Sequence, residues 1–211
     1  MQTPLPTLLA MTPHRPERRR VAAALVLAFV LPAARPARAA PAFDLAALTV
    51  LLARVKAGDA TFTESRRIEM LDRTLASSGR LSFRAPDTFV RETLSPRQEK
   101  LAVSGNTLTM SLGERSRTMQ LDASPEAAVV VEAIRGTLTG NRASLERLFE
   151  ATVGGSAEQW SLDLVPRDLR LRGQVAAVRV TGRDAAVREV AVMLADGDKS
   201  VMTISPLAAP K

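Results

Sequence analysis

Gly79-Arg-Leu-Ser-Phe-Arg-Ala-Pro-Asp-Thr-Phe-Val-Arg-Glu-Thr-Leu94, followed by Leu101-Ala-Val-Ser-Gly-Asn-Thr-Leu-Thr-Met-Ser-Leu112, decides how this chain folds. Leu81 and Phe83 alternate with polar neighbours, so they lie on one face of a strand. Pro86-Asp87 marks a turn, Phe89 to Leu94 a second strand, and Ser95-Pro96-Arg97-Gln98 another turn. Leu101 and Val103 then precede Ser104-Gly105-Asn106, a hairpin-type break, after which Leu108, Met110 and Leu112 recur at strict period two. Alternation interrupted by short turns predicts neighbouring antiparallel strands.

Working outward, the apolar positions Leu45, Leu48, Leu51, Leu52 and Val55 recur at spacings of three and four. They predict a helix from Phe43 to Val55, closed by Gly58. Thr61 to Leu71 reads as a strand with Phe62 and Ile68 on one face. Beyond the hairpin, Gly113-Glu114-Arg115 ends one strand and Met119 to Leu121 begins the next. Ser124-Pro125-Glu126 is a helix start, because Ser can cap free amides, Pro is tolerated in the first turn and Glu suits the positive helix end. Val130, Ile134 and Leu138 form its apolar face. After Gly140, a second helix is predicted from Ala143 to Ala151 with Leu145, Leu148 and Phe149, and Gly154-Gly155 ends this helical insert. Strands resume with Trp160, Leu162 and Leu164 up to Pro166, with Val178 and Val180 before Gly182, and with Val190, Val192 and Leu194 before Asp196-Gly197-Asp198. Met202 and Ile204 complete the last hairpin. The fold class is α+β, dominated by antiparallel sheet, with residues 40–211 as one domain.

The 211-residue chain has 29 Lys plus Arg against 22 Asp plus Glu. A formal charge of +7 suggests nucleic acid or anionic lipid until the charges are located. Residues 1–39 hold Arg15, Arg18, Arg19, Arg20, Arg35 and Arg38 with only Glu17 opposing them. Residues 40–211 are therefore near neutrality, and no nucleic-acid partner is expected. The single His is His14 and there is no Cys, so residues 40–211 contain neither imidazole nor thiol. A Ser-His-Asp triad, a Cys nucleophile and most zinc or transition-metal sites are thereby excluded. A hydrolase using paired carboxylates lacks a pair in an apolar setting that would raise one pKa. No enzyme activity, catalytic residue, metal or cofactor is assigned.

Arg18-Arg19-Arg20 precedes eleven uncharged residues, Val21 to Leu31, and then Pro32-Ala-Ala-Arg-Pro-Ala-Arg-Ala-Ala40. This basic, apolar and small-residue order is that of a secretory signal peptide over residues 1–39, with Ala37-Arg38-Ala39 as the cleavage pattern and Ala40 as the mature start. Either Met1 or Met11 can be the start. The apolar run is too short to span a bilayer as a helix, which needs ~20 residues. Val21-Ala22-Ala23 after the arginines favours Sec over twin-arginine export. The absence of Cys excludes lipidation at the cleavage point.

Other groupings have plain readings. Asp196-Gly197-Asp198 lacks the further oxygen ligands of a calcium loop and is a hairpin turn. Glu64, Arg66, Arg67 and Glu69 read as cross-strand pairing on a solvated face. Arg167, Arg170 and Arg172 form a small basic patch without interleaved aromatics.

Taken in order over Phe43 to Ile204, these pieces resemble the periplasmic outer-membrane lipoprotein carrier family, the LolA-like proteins. The segments that carry the resemblance are Ala60-Thr-Phe-Thr-Glu64, Gly79 to Phe89, Val103-Ser-Gly-Asn-Thr-Leu108, Leu162-Asp-Leu-Val-Pro166, Val175 to Gly182 and Val187 to Ile204. The resemblance implies an incomplete antiparallel β-barrel, a strongly curved sheet, whose apolar concave face is covered by a helical lid and holds acyl chains. It implies a monomeric carrier in the periplasm, an inner-membrane donor complex, an outer-membrane acceptor, and a lipoprotein or related acylated lipid as cargo. A different class of function on the same fold is a module that senses lipids or lipoproteins and signals to a protein partner.

On strand parity the expected cavity lining is Phe62, Leu81 and Phe83, Phe89, Leu101 and Val103, Leu108, Met110 and Leu112, Leu162 and Leu164, Val178 and Val180, Val190 and Val192, and Met202 and Ile204. The expected lid residues are Val130, Ile134, Leu138, Leu145, Leu148 and Phe149. Two features depart from the carrier type. Where that type has an arginine that closes the lid by hydrogen bonding, this chain has Ala85 before Pro86. It also reaches Ser205-Pro-Leu-Ala-Ala-Pro-Lys211 without the type's carboxy-terminal strand and loop. The lid is therefore expected to be held mainly by packing, and the cargo to extend to glycolipid or polyene lipid.

Overall fold

Eleven strands form one continuous antiparallel sheet in the structure, a computed structural model that describes residues 42–207. The first half is β1 (Ala57–Ile68), β2 (Arg73–Arg84), β3 (Thr88–Ser95), β4 (Glu99–Ser104), β5 (Thr107–Leu112) and β6 (Arg115–Gln120). The second half is β7 (Phe149–Ser156), β8 (Gln159–Pro166), β9 (Val175–Arg183), β10 (Ala186–Leu194) and β11 (Lys199–Pro206). Each half is a meander, so neighbours in sequence pair in space, and β1 pairs with β11 to join the halves in the order β6-β5-β4-β3-β2-β1-β11-β10-β9-β8-β7. The sheet is strongly curved and open: β6 and β7 are its two edges and do not pair with each other. Register shifts at Ser78/Gly79 and at Val187/Glu189 mark irregularities of the kind that bend a sheet.

The helices α1 (Leu45–Leu52), α2 (Pro125–Thr139) and α3 (Arg142–Leu148) fill the curve, with a short α4 (Leu169–Arg172) between β8 and β9. Asp44 caps α1 by accepting from the Ala47 amide at 2.9 Å. Pro125 opens α2 as expected, although the Ser124 side chain makes no capping bond. Gly140 ends α2 at φ +64°, a left-handed turn natural to glycine. A Cβ there would stand 2.2 Å from the Thr49 carbonyl oxygen, so the ends of α1 and α2 meet backbone to backbone. At Gly136 a Cβ would lie 2.7 Å from Leu145 Cδ2, which brings α3 equally close. The three helices thus pack as one body.

That body covers the second half of the sheet. Leu48, Leu52, Val129, Ala133, Leu145 and Phe149 pack with Leu162, Leu164, Val175, Val178 and Val180 in a solvent-free core. A smaller cluster of Val103, Leu108 and Leu121, flanked by Phe89, Leu101 and Met119, receives Ala127, Ala128 and Val131 of the same α2.

Several sequence expectations need correction. Gly58 lies inside β1, because α1 already ends at Leu52. The strand after Gly113 is Arg115–Gln120, and Leu121–Ala123 is a 3-10 turn leading into α2. Phe149 is the first residue of β7 and so is not part of a helical cover; α3 stops at Leu148 and the chain turns extended at Phe149. Gly154-Gly155 accordingly sits within β7. The period of Leu145, Leu148 and Phe149 fits a helix, but burial of Phe149 against α1 and β8 outweighs it. The leader and its cleavage point at Ala39-Ala40 lie outside the described residues.

Candidate functional site

Cross-strand register fixes which side chains share a face. Phe62 opposes Ile204, and Ala60 opposes Leu81. Phe83 opposes Phe89, which opposes Val103, which opposes Leu108. Leu101 opposes Met110, and Leu112 lies two residues further on. Leu162 opposes Val180, Val190 and in turn Met202, while Leu164 opposes Val178 and in turn Val192. All the residues expected on one face by parity therefore share one, the face that meets the helices.

That face has two unlike halves. Over β8–β10, Leu162, Leu164, Val178 and Val180 are fully enclosed and Val190 is buried, with Val192 and Ile204 packed at the margin. This half is filled by α1, α2 and α3. Over β2–β5 the same face opens: Met110 and Leu112 are each 38% exposed and Leu75, at the far end of β2, 41%, with Leu81 and Leu101 half-buried; Met202 on β11 is half-buried too. Phe83 and Phe89, stacked with centroids 5.2 Å apart, mark the boundary with the hairpin end.

Helix α2 presents a face to each half. At 3.6 residues per turn, Val129, Ala133, Gly136 and Thr137 fall on one side and Ala127, Val131, Ile134 and Leu138 on the other. The first set is buried against the filled half. In the second, Ala127 and Val131 meet the Val103–Leu108 cluster, whereas Ile134 and Leu138 are half-buried and belong to neither cluster. Val130 packs at the edge of the filled core, Leu145 is wholly buried there and Leu148 lies at its margin. The lid expected from sequence thus divides into anchoring residues and an unmatched apolar strip.

Helix α2 also has a directional tie. Arg135 Nη2 donates to the Gly105 carbonyl in the β4–β5 turn at 2.6 Å, and its Nη1 pairs with Glu132 one helical turn earlier. Packing is therefore not the sole restraint, contrary to the expectation drawn from Ala85. Arg84 is on the opposite face, paired with Asp59 at 3.1 Å.

A polar centre interrupts the inner face. Glu64 accepts from Arg91 Nη2, from Ser77 Oγ at 2.9 Å and from Ser200 Oγ. Arg91 reaches it from β3 by crossing the Phe62 ring, with Cζ 4.9 Å from the centroid. Gly79 provides the room: a Cβ there would stand 2.9 Å from Phe62 Cε1. The sequence reading of Glu64 as a solvated cross-strand pair is thus corrected for Glu64, whose side chain is only 13% exposed. Arg67 and Glu69 do pair in solvent, and Arg66 meets Asp198 of the β10–β11 turn at 3.5 Å. Nothing local marks Arg91 in the sequence, since no other charge of β3 shares its inward parity.

Two shallow clefts, one along β7–β8 beside Gly155 and Arg188 and one beside Phe43 and Arg142, do not touch the open half. Among the described residues there is no cluster of three or more His, Cys, Asp or Glu able to hold a metal, and no helix is long and apolar enough to cross a membrane.

A family model described as outer membrane lipoprotein carrier protein LolA-like matches residues 37–209. No curated protein matches. Among solved structures, a LolA superfamily protein from Nitrosomonas europaea is 10% identical, with TM-score 0.42, over 80% of this chain and 96% of that one. A DUF1329 family protein from Desulfovibrio piger is 11% identical, with TM-score 0.45, over 76% of this chain and 88% of that one. The MucA/MucB complex of Pseudomonas aeruginosa is matched at 13% identity and TM-score 0.43, over 79% of this chain and 58% of that one.

Proposed function

The chain belongs to the outer membrane lipoprotein carrier protein LolA-like family, and from that premise we propose that it is a periplasmic carrier that shields the acyl chains of a lipoprotein or related lipid. One observation carries the reading: Met110 and Leu112 are exposed on the inner face of β5, rimmed on β6 by Arg117 and Arg115, and the α2 strip of Ile134 and Leu138 is taken up by no core cluster. Large apolar side chains left exposed beside a polar rim mark a binding surface. An acyl chain suits such a surface, since each CH₂ removed from water contributes ~0.8 kcal/mol. The binding surface in this reading is the open half, lined by Leu81, Leu101, Met110 and Leu112, with Met202 further along the same face on β11 and the α2 strip of Ile134 and Leu138 as its cover. The filled half is the scaffold. Residues 1–39 serve as the Sec-type leader, an inner-membrane complex supplies the cargo and an outer-membrane acceptor removes it.

Native mass spectrometry of protein recovered from the periplasm tests this. A bound acylated molecule, released on unfolding, is the expected result. Protein that is free of ligand and also takes up no long-chain lipid in vitro would overturn it.

A further inference from the structure

We propose that Arg91 and Glu64 form a polar subsite that receives the oxygen-bearing group joining a cargo's acyl chains to its head, so that the carrier takes amphiphiles in one orientation. The inference rests on the carrier reading above and adds to it the ligand's polar chemistry.

The inner face is graded along the strands. At the hairpin end lie Phe89, Val103 and Leu108, which pack with α2, and Phe83 stacked on Phe89. One step along β3 stands Arg91, opposite Leu81 and Leu101. Beyond it come Thr93, Glu99 and Glu64. An acyl chain lying on the open level of Leu101 and Met110 brings its polar linkage to Arg91, which shares that level.

The guanidinium is built to meet it. Its cation is held over Phe62, and one nitrogen serves both Glu64 and Ser77 at 3.3 Å for the latter. Its Nε is buried with no hydrogen-bond partner. A buried donor left unmade is costly and calls for an explanation. A third of the side chain, 32%, is still exposed on the face that Leu101 and Met110 share. Glu64 neutralises the charge, so the subsite does not require an anion. An ester carbonyl and a phosphate oxygen both satisfy the donors.

Three probes separate these sources: squalene, which has no oxygen; dioleoylglycerol, which has esters only; and dioleoyl phosphatidic acid, which adds a phosphate. Binding is measured by native mass spectrometry and calorimetry for the wild type, for R91K and for the double variant R91M/E64Q, which leaves no unpaired carboxylate. Dioleoylglycerol is expected to weaken roughly tenfold in R91M/E64Q, and by less in R91K, while squalene is unchanged. A loss confined to phosphatidic acid would assign the group to phosphate. Equal binding of both oxygenated lipids by the wild type and the variants overturns the subsite while leaving the carrier reading intact. If the wild type binds none of the three, the carrier reading falls and the subsite with it. Should the double variant fail to fold, R91K alone decides: unchanged binding of both lipids overturns the subsite.

Discussion

Arg135 on α2 donates to the backbone oxygen of Gly105 in the β4–β5 turn, so the helix is tied to the hairpin through a carbonyl rather than through another side chain. The donor lies on α2 between Val131 and Leu138, in the half of the helix that ends at the Gly140 anchor.

Replacing Arg135 by Met keeps the aliphatic stem and removes the tie. A hydrogen bond with one charged partner contributes about 1.5–3 kcal/mol, and most of that loss should appear as local opening rather than global unfolding, because Gly136 and Gly140 still bind α2 to α3 and α1. Hydrogen exchange should accelerate in the amides of residues 104–107 and the first turns of α2, with exchange in β8 and β9 unchanged. Uniform acceleration across the sheet would show that Arg135 serves global stability instead. By the same logic Ala85→Arg should leave exchange in α2 unaltered, since a restraint already exists.

The two halves of the inner face should answer differently to added volume. Val178 is fully buried between β8 and β10 and under the helices, so Val178→Phe must overpack and destabilise by about 1–3 kcal/mol. Met110 is 38% exposed, and Met110→Trp has room. Its midpoint of thermal unfolding should stay the same or rise, while long-chain lipid binding falls. Equal destabilisation by both changes would mean that the open half is core as well.

Much of this was legible in the sequence, and the limits have physical causes. Period-two patterns at Leu81/Phe83, Leu108/Met110 and Leu162/Leu164 reveal both the strands and their common face, because parity survives any uncertainty in strand ends. Whether a face is filled or open is a different matter: Leu164 and Met110 occupy equivalent alternating positions, and only the placement of α1 and α3 over one half distinguishes them. The same applies to Phe149, where helical spacing and strand burial compete at a single junction. The Arg91–Glu64 pair joins β3 to β1 across an intervening strand, and nothing local in either strand announces it.

The pair also has a consequence for stability. Glu64 accepts three hydrogen bonds in a mostly enclosed position, so Arg91→Ala alone leaves a carboxylate without its cation. The single variant should be markedly less stable, by about 2–4 kcal/mol after allowance for the exposed part of Arg91, and addition of Glu64→Gln should recover a good part of the loss. Guanidinium denaturation curves for the two single variants and the double variant give the coupling directly. Additive losses would show that the two side chains do not depend on each other.

The last prediction concerns what a fluorescence signal would mean. Trp160 is the only tryptophan, but it is 2% exposed, its indole nitrogen donates to the Asp184 carbonyl at 2.9 Å, and its ring lies against Gly182, where a Cβ would stand 2.2 Å from Cζ2. It belongs to the filled core beside Leu162 and reports on the scaffold. A lipid bound in the open half should therefore leave Trp160 emission nearly unchanged while raising the midpoint of unfolding in proportion to RT ln(1 + [L]/Kd). A tryptophan placed at Leu101, half-buried on β4 opposite both Arg91 and Met110, should shift to the blue as ligand removes water from it. If Trp160 responds strongly and a Leu101→Trp variant does not, the acyl chains enter between the helices and β8–β9, and the open half is not the binding surface.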